Sequence, residues 1–156
     1  MVPISLGTLG GYLAAGLLTP SSAAISQLVY VLIGAVGIPV FSGFSGGFGI
    51  IMGPTGGYLV GYLVLAFVGG LFVERFRGSG RWGALGLVIG TAALYALGTA
   101  WFVVQMEGAT VPYALTVCVL PFLPGDAAKI AVSSLFGPLL RRRMCAAGLL
   151  PSKAAP

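Results

Sequence analysis

Residues 56–73 read GGYLVGYLVLAFVGGLFV, a run of 18 residues that contains no charged side chain. A helix of about 20 mostly apolar residues is what crosses the hydrocarbon core of a bilayer. Soluble helices of this length carry a polar face, and this run has none. The stretch therefore predicts a membrane-spanning helix.

Apolar runs of the same kind occupy most of the remaining chain. Bounded by glycine, proline and charged residues, they are Ile4–Leu18, Ala23–Val40, Trp82–Val104 and Val111–Leu140. Pro121, Pro124 and Gly125 interrupt the last run, because proline removes a backbone donor and clashes with the preceding turn. We expect the final helix to begin near Asp126. The predicted fold class is an all-α membrane protein, a polytopic bundle of about five spans in a single domain, 1–156.

Composition supports this class and excludes others. The chain has 156 residues, 58% hydrophobic and 7% charged, whereas soluble domains carry roughly 25% charged residues. A net charge of +5 would suggest nucleic acid in a soluble protein. Here the cations flank apolar runs, so we expect the lipid bilayer as surroundings and no nucleic acid as partner. There is no histidine, and the two cysteines lack metal-ligand spacing. We therefore expect no metal, no cofactor and no enzyme.

The positive charges predict which ends face the cytoplasm. One group of arginines flanks the connection after the 56–73 run: Arg75, Arg77 and Arg81. A second group follows the last span: Arg141, Arg142 and Arg143. Lys153 adds to the basic tail 141–156. Cytoplasmic loops carry an excess of lysine and arginine. Both regions are therefore predicted to be cytoplasmic.

The remaining connections follow by alternation across the membrane. The Val104–Val111 connection and the long Gly-rich connection Gly37–Gly53 are predicted to lie outside. The N-terminus would then lie outside as well. With a short first span, this suggests a further helix before Met1 or a misplaced start codon.

Pairs of small residues recur at helical spacing in the predicted spans. They are Gly57 with Gly61, Ala66 with Gly70, and Gly86 with Gly90. Small residues let helix backbones approach closely in a membrane. We favour packing within the bundle, and docking against another membrane subunit is the alternative.

The run Gly53-Pro54-Thr55-Gly56-Gly57-Tyr58 opens the third span from the external side. Backbone N–H groups at a helix N-terminus favour polar or anionic ligand groups. An ordinary helix start, with Pro54 at an early position and Thr55 as a cap, explains the same residues equally well.

A second polar motif lies within the last apolar region, in Pro121–Lys129. Asp126 and Lys129 place an acid and a base on one helical face. Ionisable residues inside a membrane segment are costly and usually face a cavity or each other. We favour a ligand-binding role, and a self-neutralising pair that packs the bundle is the alternative.

Four stretches in this order resemble the BioY family of biotin-binding S components. The two most diagnostic are GPTGGY at 53–58 and PFLPGDAAK at 121–129; the others are 2–6 and 34–41. The resemblance covers almost the whole chain and implies the S-component fold, with six helices in the family and the first apparently missing here.

The resemblance also implies partners and a location. It implies capture of biotin from outside for ATP-driven uptake by an energy-coupling factor (ECF) transporter, in the cell membrane of a prokaryote. Its module would contain a transmembrane scaffold subunit and two ATP-binding subunits. An S component for another small vitamin, a non-transporting membrane subunit and an intramembrane enzyme are the alternatives.

The chemistry of biotin fits the motif residues. Asp126 can accept from ureido N–H groups, while Lys129 can donate to the ureido oxygen or the carboxylate. Backbone N–H groups at Thr55–Tyr58 can hold the remaining acceptor. Tyr95 and Trp101 are predicted to pack or to anchor at the interface. The predicted site comprises Gly53, Thr55, Gly56, Gly57, Tyr58, Phe41, Phe122, Asp126 and Lys129, with aromatic walls at Tyr58, Phe41 and Phe122.

Overall fold

A computed structural model describes residues 7–76 and 80–149 of the chain. Within these ranges the regular structure is helical, apart from an isolated bridge between Phe41 and Ser45. This confirms the predicted all-α class. The helices are α1 (Gly7–Leu17), α2 (Pro20–Ala35), α3 (Phe48–Met52), α4 (Gly56–Arg75), α5 (Gly80–Gln105), α6 (Val111–Cys118) and α7 (Leu123–Ala146).

Helix length and composition distinguish the spanning candidates. The helices at Gly56–Arg75 and Arg81–Gln105 are long and apolar enough to cross a membrane, and α6 with α7 adds a third candidate if this bent pair is one span. Helix α2 is apolar but has 16 residues, which is about 24 Å at 1.5 Å per residue. Only part of the predicted first span, Ile4–Leu18, lies within the described residues.

The second span is shifted from its predicted position at Ala23–Val40. Helix α2 begins at Pro20, because Thr19 caps it by accepting a hydrogen bond from the Ser22 backbone N–H and proline suits the first helical turn. It ends at Ala35, since Gly37 adopts a φ of +109°, which is incompatible with a continuing helix. The C-terminal part of the predicted span therefore belongs to the Gly-rich loop.

The final span is broken as predicted, but its second part begins earlier. Helices α6 and α7 meet at 56°, and α7 begins at Leu123 rather than near Asp126. Pro124 lies in the first turn of α7. A backbone N–H at this position would have no acceptor within the helix, so its absence in proline loses no hydrogen bond. Only Pro121 lies in the break itself.

The arginine cluster after the last span is also not where the sequence placed it. Arg141–Arg143 lie within α7, which continues to Ala146. Arginine is a good helix former, so the helix does not stop where the apolar run stops. Arg141 is fully buried, and its guanidinium Nη1 donates to the Leu18 carbonyl at 3.3 Å. Part of the predicted basic tail is thus a packed helix end.

Helices α4 and α5 form the closest pair in the bundle, and glycines allow their approach. Gly61 packs against Leu94, and Gly90 packs against the backbone of Leu65. Gly86 likewise leaves room for the Phe72 side chain. The small residues of α4 and α5 therefore serve packing within the bundle, the reading that the sequence favoured.

Two loops that the charge pattern places outside lie at the same end of the bundle. Trp101 of α5 donates from Nε1 to the Gly53 carbonyl at 3.0 Å, and Gln105 donates from Nε2 to the Met52 carbonyl at 2.9 Å. The Gly-rich loop and the C-terminal end of α5 are thereby joined. We call this the loop end of the bundle.

Reporter fusions test the orientation of the loop end. A fusion after Arg143 should report a cytoplasmic location, because positively charged segments stay on that side. A fusion inserted between Gly46 and Gly47 should report an external location. Fusions that exchange these two results would invert the topology and place the loop end inside.

Candidate ligand-binding site

A cavity of about 380 Å³ lies towards the loop end of the bundle, within the size range of small-molecule sites. Six of its fifteen lining residues are aromatic, and Asp126 is the one charged residue among the lining residues in the described part of the chain. Such a space suits a small ligand with an apolar body and a few polar atoms. The aromatic lining residues are Tyr30, Phe41, Tyr58, Tyr62, Tyr95 and Phe122.

Asp126 is the polar centre of the cavity. It lies in the first turn of α7, where the helix dipole favours a negative charge. Its Oδ2 accepts a hydrogen bond from the Tyr95 hydroxyl at 2.6 Å. Its Oδ1 accepts from Lys129 Nζ at 3.0 Å and from Thr8 Oγ1 at 3.3 Å. The carboxylate is therefore held from three sides by α1, α5 and α7.

Lys129 stands one helical turn after Asp126 and forms an ion pair with it. The side chains of Lys129 and Asp126 are 13% and 4% exposed, so the pair is largely shielded from solvent. Lys129 Nζ also donates to Thr8 Oγ1 at 2.7 Å. Lys129 is not among the residues that line the cavity. Its predicted direct contact with a ligand remains a prediction.

Phe41 reaches the cavity from the Gly-rich loop. Its backbone N–H donates to the Ser45 carbonyl at 2.9 Å, and its ring meets that of Tyr30 edge-on at 5.7 Å between centroids. The Tyr30 hydroxyl donates to the Val40 carbonyl at 2.9 Å. Gly34 lies under the Phe41 ring, and a Cβ at Gly34 would overlap it. The loop thus inserts one aromatic side chain into the wall.

The turn at 53–58 contributes two side chains to the cavity and uses two of its backbone N–H groups within itself. The Gly56 N–H donates to the Gly53 carbonyl at 3.0 Å, and the Tyr58 N–H donates to the Thr55 carbonyl at 3.1 Å. The turn itself therefore uses two of the four backbone N–H groups that were predicted to hold a ligand acceptor at Thr55–Tyr58, and the role of the other two stays a prediction. Thr55 occupies the N-cap position without a capping bond from its side chain, and it lines the cavity together with Tyr58.

Five of the nine predicted site residues line the cavity and four do not. The lining residues are Phe41, Thr55, Tyr58, Phe122 and Asp126, whereas Gly53, Gly56, Gly57 and Lys129 lie outside the lining. Gly57 instead packs against the Trp101 side chain, where a Cβ would not fit. The predicted glycines therefore position the turn and do not form the wall.

Sequence reasoning missed several lining residues. Tyr95 was predicted only to pack or anchor, yet its hydroxyl binds Asp126. Thr8 lies 118 residues from Asp126 in sequence, and nothing local connects them. Tyr62 follows the predicted Tyr58 by one helical turn, so the spacing alone could have suggested it.

The fold and the cavity define a polytopic membrane protein of the S-component type. A crystal structure described as the S-component for biotin from an ECF-type ABC transporter matches with a TM-score of 0.81 and 28% identity, covering 90% of this chain and 76% of that chain. The model of the BioY family matches residues 1–146. The chain belongs to the BioY family, which is a family of transport proteins and not of enzymes.

Relatives from distant organisms agree with this assignment. The biotin transporter BioY of Rhodobacter capsulatus is 38% identical, over 86% of this chain and 76% of that protein. The biotin transporter BioY of Thermotoga maritima is 36% identical, over 90% of this chain and 82% of that protein. The similarity therefore extends over most of each sequence.

Proposed function

We propose that this protein is the substrate-binding membrane subunit that captures biotin from outside the cell for ATP-driven uptake. The observation that carries the proposal is the cavity with aromatic side chains and one buried carboxylate, which accepts three hydrogen bonds from side chains. It combines an apolar space with a single charged acceptor. Membership of the BioY family supports the same ligand.

The chemical groups of biotin match the cavity. Its thioether ring is apolar and fits against aromatic side chains, as Tyr58 and Phe122 provide from opposite parts of the chain. Its ureido ring carries N–H donors, for which Asp126 is a strong acceptor. We place the ureido ring beside Asp126 in the cavity wall.

The carboxylate tail of biotin belongs at the loop end in this arrangement. Tyr95, which binds Asp126, lies ten residues before Gln105 at the loop end, or about 15 Å along α5 at 1.5 Å per residue. A ligand with its ureido ring at Asp126 therefore extends towards the loop. The Gly-rich loop and the turn that follows it contribute three residues with hydroxyl groups to the cavity lining: Ser42, Ser45 and Thr55.

Lys129 supports the carboxylate in this proposal. The Lys129 ammonium lies 3.0 Å from Oδ1 and compensates the negative charge of the carboxylate within the bundle, and a charged acceptor binds N–H groups more strongly than a neutral one. Lys129 and Thr8 donate hydrogen bonds to Oδ1 of Asp126, whereas Oδ2 faces Tyr95. Lys129 acts here as a positioning residue.

Uptake requires partners that supply energy. We propose that this subunit works with a transmembrane scaffold subunit and two ATP-binding subunits, in the cell membrane of a prokaryote. Its similarity to the S-component of an ECF-type transporter supports such a module. Co-purification of the scaffold subunit and both ATP-binding subunits with a tagged chain, from cells that express the complete transporter, is the expected result.

Calorimetry on the purified protein tests the ligand. Biotin should bind saturably at one site, and thiamine and riboflavin should give no comparable heat, because thiamine carries a positive charge and has no ring N–H beside a carbonyl, and the flat three-ring system of riboflavin is larger than the two fused rings of biotin. Saturable binding of another vitamin, with biotin silent, would contradict the proposal. A search for biotin that co-purifies with the protein provides an independent measurement.

A further inference from the structure

The hydroxyl of Tyr95 and Oδ2 of Asp126 form a matched pair of polar atoms at the cavity wall. They lie 2.6 Å apart, and both residues line the cavity. One is a carboxylate acceptor, and the other is a hydroxyl that can donate one proton. The pair therefore offers an acceptor and a donor side by side.

A cyclic urea presents the complementary pair on one edge. Its N–H donor and its C=O acceptor belong to adjacent atoms of the ring. The N–H can point to Asp126 Oδ2 while the C=O receives the proton of a neighbouring hydroxyl. The two N–H groups of a five-membered cyclic urea point away from each other, so they cannot both donate to two oxygens that lie only 2.6 Å apart, as those of Tyr95 and Asp126 do.

We propose that Tyr95 is a specificity-determining residue that exchanges its hydrogen-bond partner when the ligand binds. This inference rests on the proposed biotin function. In the structure the Tyr95 hydroxyl donates to Asp126 Oδ2, at the position that we assign to the ligand N–H. With ligand bound, it donates to the ureido oxygen, and the ligand N–H donates to Oδ2.

The exchange requires little movement. A hydroxyl proton changes direction by rotation about the C–O bond, and the Tyr95 oxygen then moves slightly away from Oδ2, because a separation of 2.6 Å suits two oxygens only with a proton between them. Asp126 keeps its bonds from Lys129 and Thr8 through Oδ1 in both states. The buried carboxylate is thus never left without a donor, which would be costly in a low-dielectric cavity.

The exchange also selects a ligand class. It favours molecules that carry N–H and C=O on adjacent ring atoms. A thiourea analogue in which sulfur replaces the ureido oxygen keeps the N–H groups but offers only a weak acceptor. This analogue, 2-thiobiotin, therefore isolates the contribution of the Tyr95 proton.

The test compares two ligands on two variants by calorimetry. In the parent protein, biotin should bind about tenfold more tightly than 2-thiobiotin, as expected for one hydrogen bond. In Tyr95→Phe, biotin should weaken by about that factor, and the difference between the ligands should fall to within about twofold. A merely structural role for Tyr95 would weaken both ligands equally.

Tyr30→Phe is the matched control. Tyr30 also lines the cavity, but its hydroxyl donates to the Val40 carbonyl of the loop. Its removal should leave the ratio of the two affinities as in the parent. A Tyr95→Phe protein that keeps the parent ratio overturns the inference.

A second measurement covers the case in which Tyr95→Phe does not fold. Incorporation of 3-fluorotyrosine at position 95 keeps the ring and makes the hydroxyl a stronger donor, so the difference between biotin and 2-thiobiotin should widen. An unchanged difference would refute the exchange. If the parent protein binds no biotin, the proposed function fails instead, and the two failures are therefore distinguishable.

Discussion

Replacement of Asp126 by asparagine should weaken biotin binding by about 10- to 150-fold. A hydrogen bond to a charged group contributes about 1.5–3 kcal/mol, and each 1.4 kcal/mol corresponds to roughly tenfold in affinity. Asparagine keeps the size of the side chain but removes the charged acceptor. The measurement is calorimetry on protein that remains monodisperse in detergent.

Glu107→Gln is the matched control for this prediction. It makes the same chemical change in the exposed connection between α5 and α6, at a residue that does not line the cavity. Its biotin affinity should equal that of the parent. If Asp126→Asn is well folded and also binds biotin as the parent does, Asp126 is not part of the site.

Lys129→Met separates a ligand role of the pair from a packing role. Removing one member of a buried ion pair leaves the other charge uncompensated and costs about 3–5 kcal/mol. The pair here is shielded, with side chains 13% and 4% exposed. Lys129→Met and Asp126→Asn should therefore both melt at a lower temperature, and a ligand role of the pair predicts in addition that folded protein of either variant binds biotin more weakly.

Replacement of Gly34 by alanine should displace Phe41 from the cavity wall and weaken biotin binding. A Cβ at Gly34 would overlap three atoms of the Phe41 ring, so the ring has to leave its place beside Tyr30. Overpacking of this kind costs about 1–3 kcal/mol. If the whole of this free energy has to be spent to restore the binding wall when biotin binds, the affinity falls by roughly 5- to 150-fold. Calorimetry with biotin measures it.

Gly10→Ala is the control for the Gly34 variant. Gly10 also lies within a helix, and a Cβ there would meet nothing within 4 Å. Alanine is the better helix former by about 1 kcal/mol, so this variant should be at least as stable as the parent and should bind biotin equally well. Equal biotin affinity of the two variants would show that Phe41 does not form part of the binding wall.

Hydrogen-bond donors from the surrounding helices explain why the Asp126 carboxylate can be buried. Asp126 is an acid within an apolar bundle, which is costly without partners. Donors from three helices meet it: Tyr95 from α5, Thr8 from α1 and Lys129 from α7. The same helices that close the bundle therefore also stabilise the charge that the ligand needs.

The amino-acid sequence alone determined the class of this protein. Uncharged runs such as 56–73 require a bilayer, because their side chains have no polar face for water. The start of α4 at Gly56 and the break near Pro121 were likewise predictable, since glycine and proline act locally on the backbone. Asp126 and Lys129 were identifiable because charge within an apolar segment is costly wherever the segment packs.

Only the tertiary structure decided which residues meet at Asp126. Thr8 and Tyr95 are 118 and 31 residues away along the chain, and their approach depends on the rotation of α1 and α5 about their own axes. In a helix that is apolar on every side, hydrophobic periodicity does not indicate which face turns inward. Close packing at glycines such as Gly61 and Gly90 sets the sides on which α4 and α5 face each other.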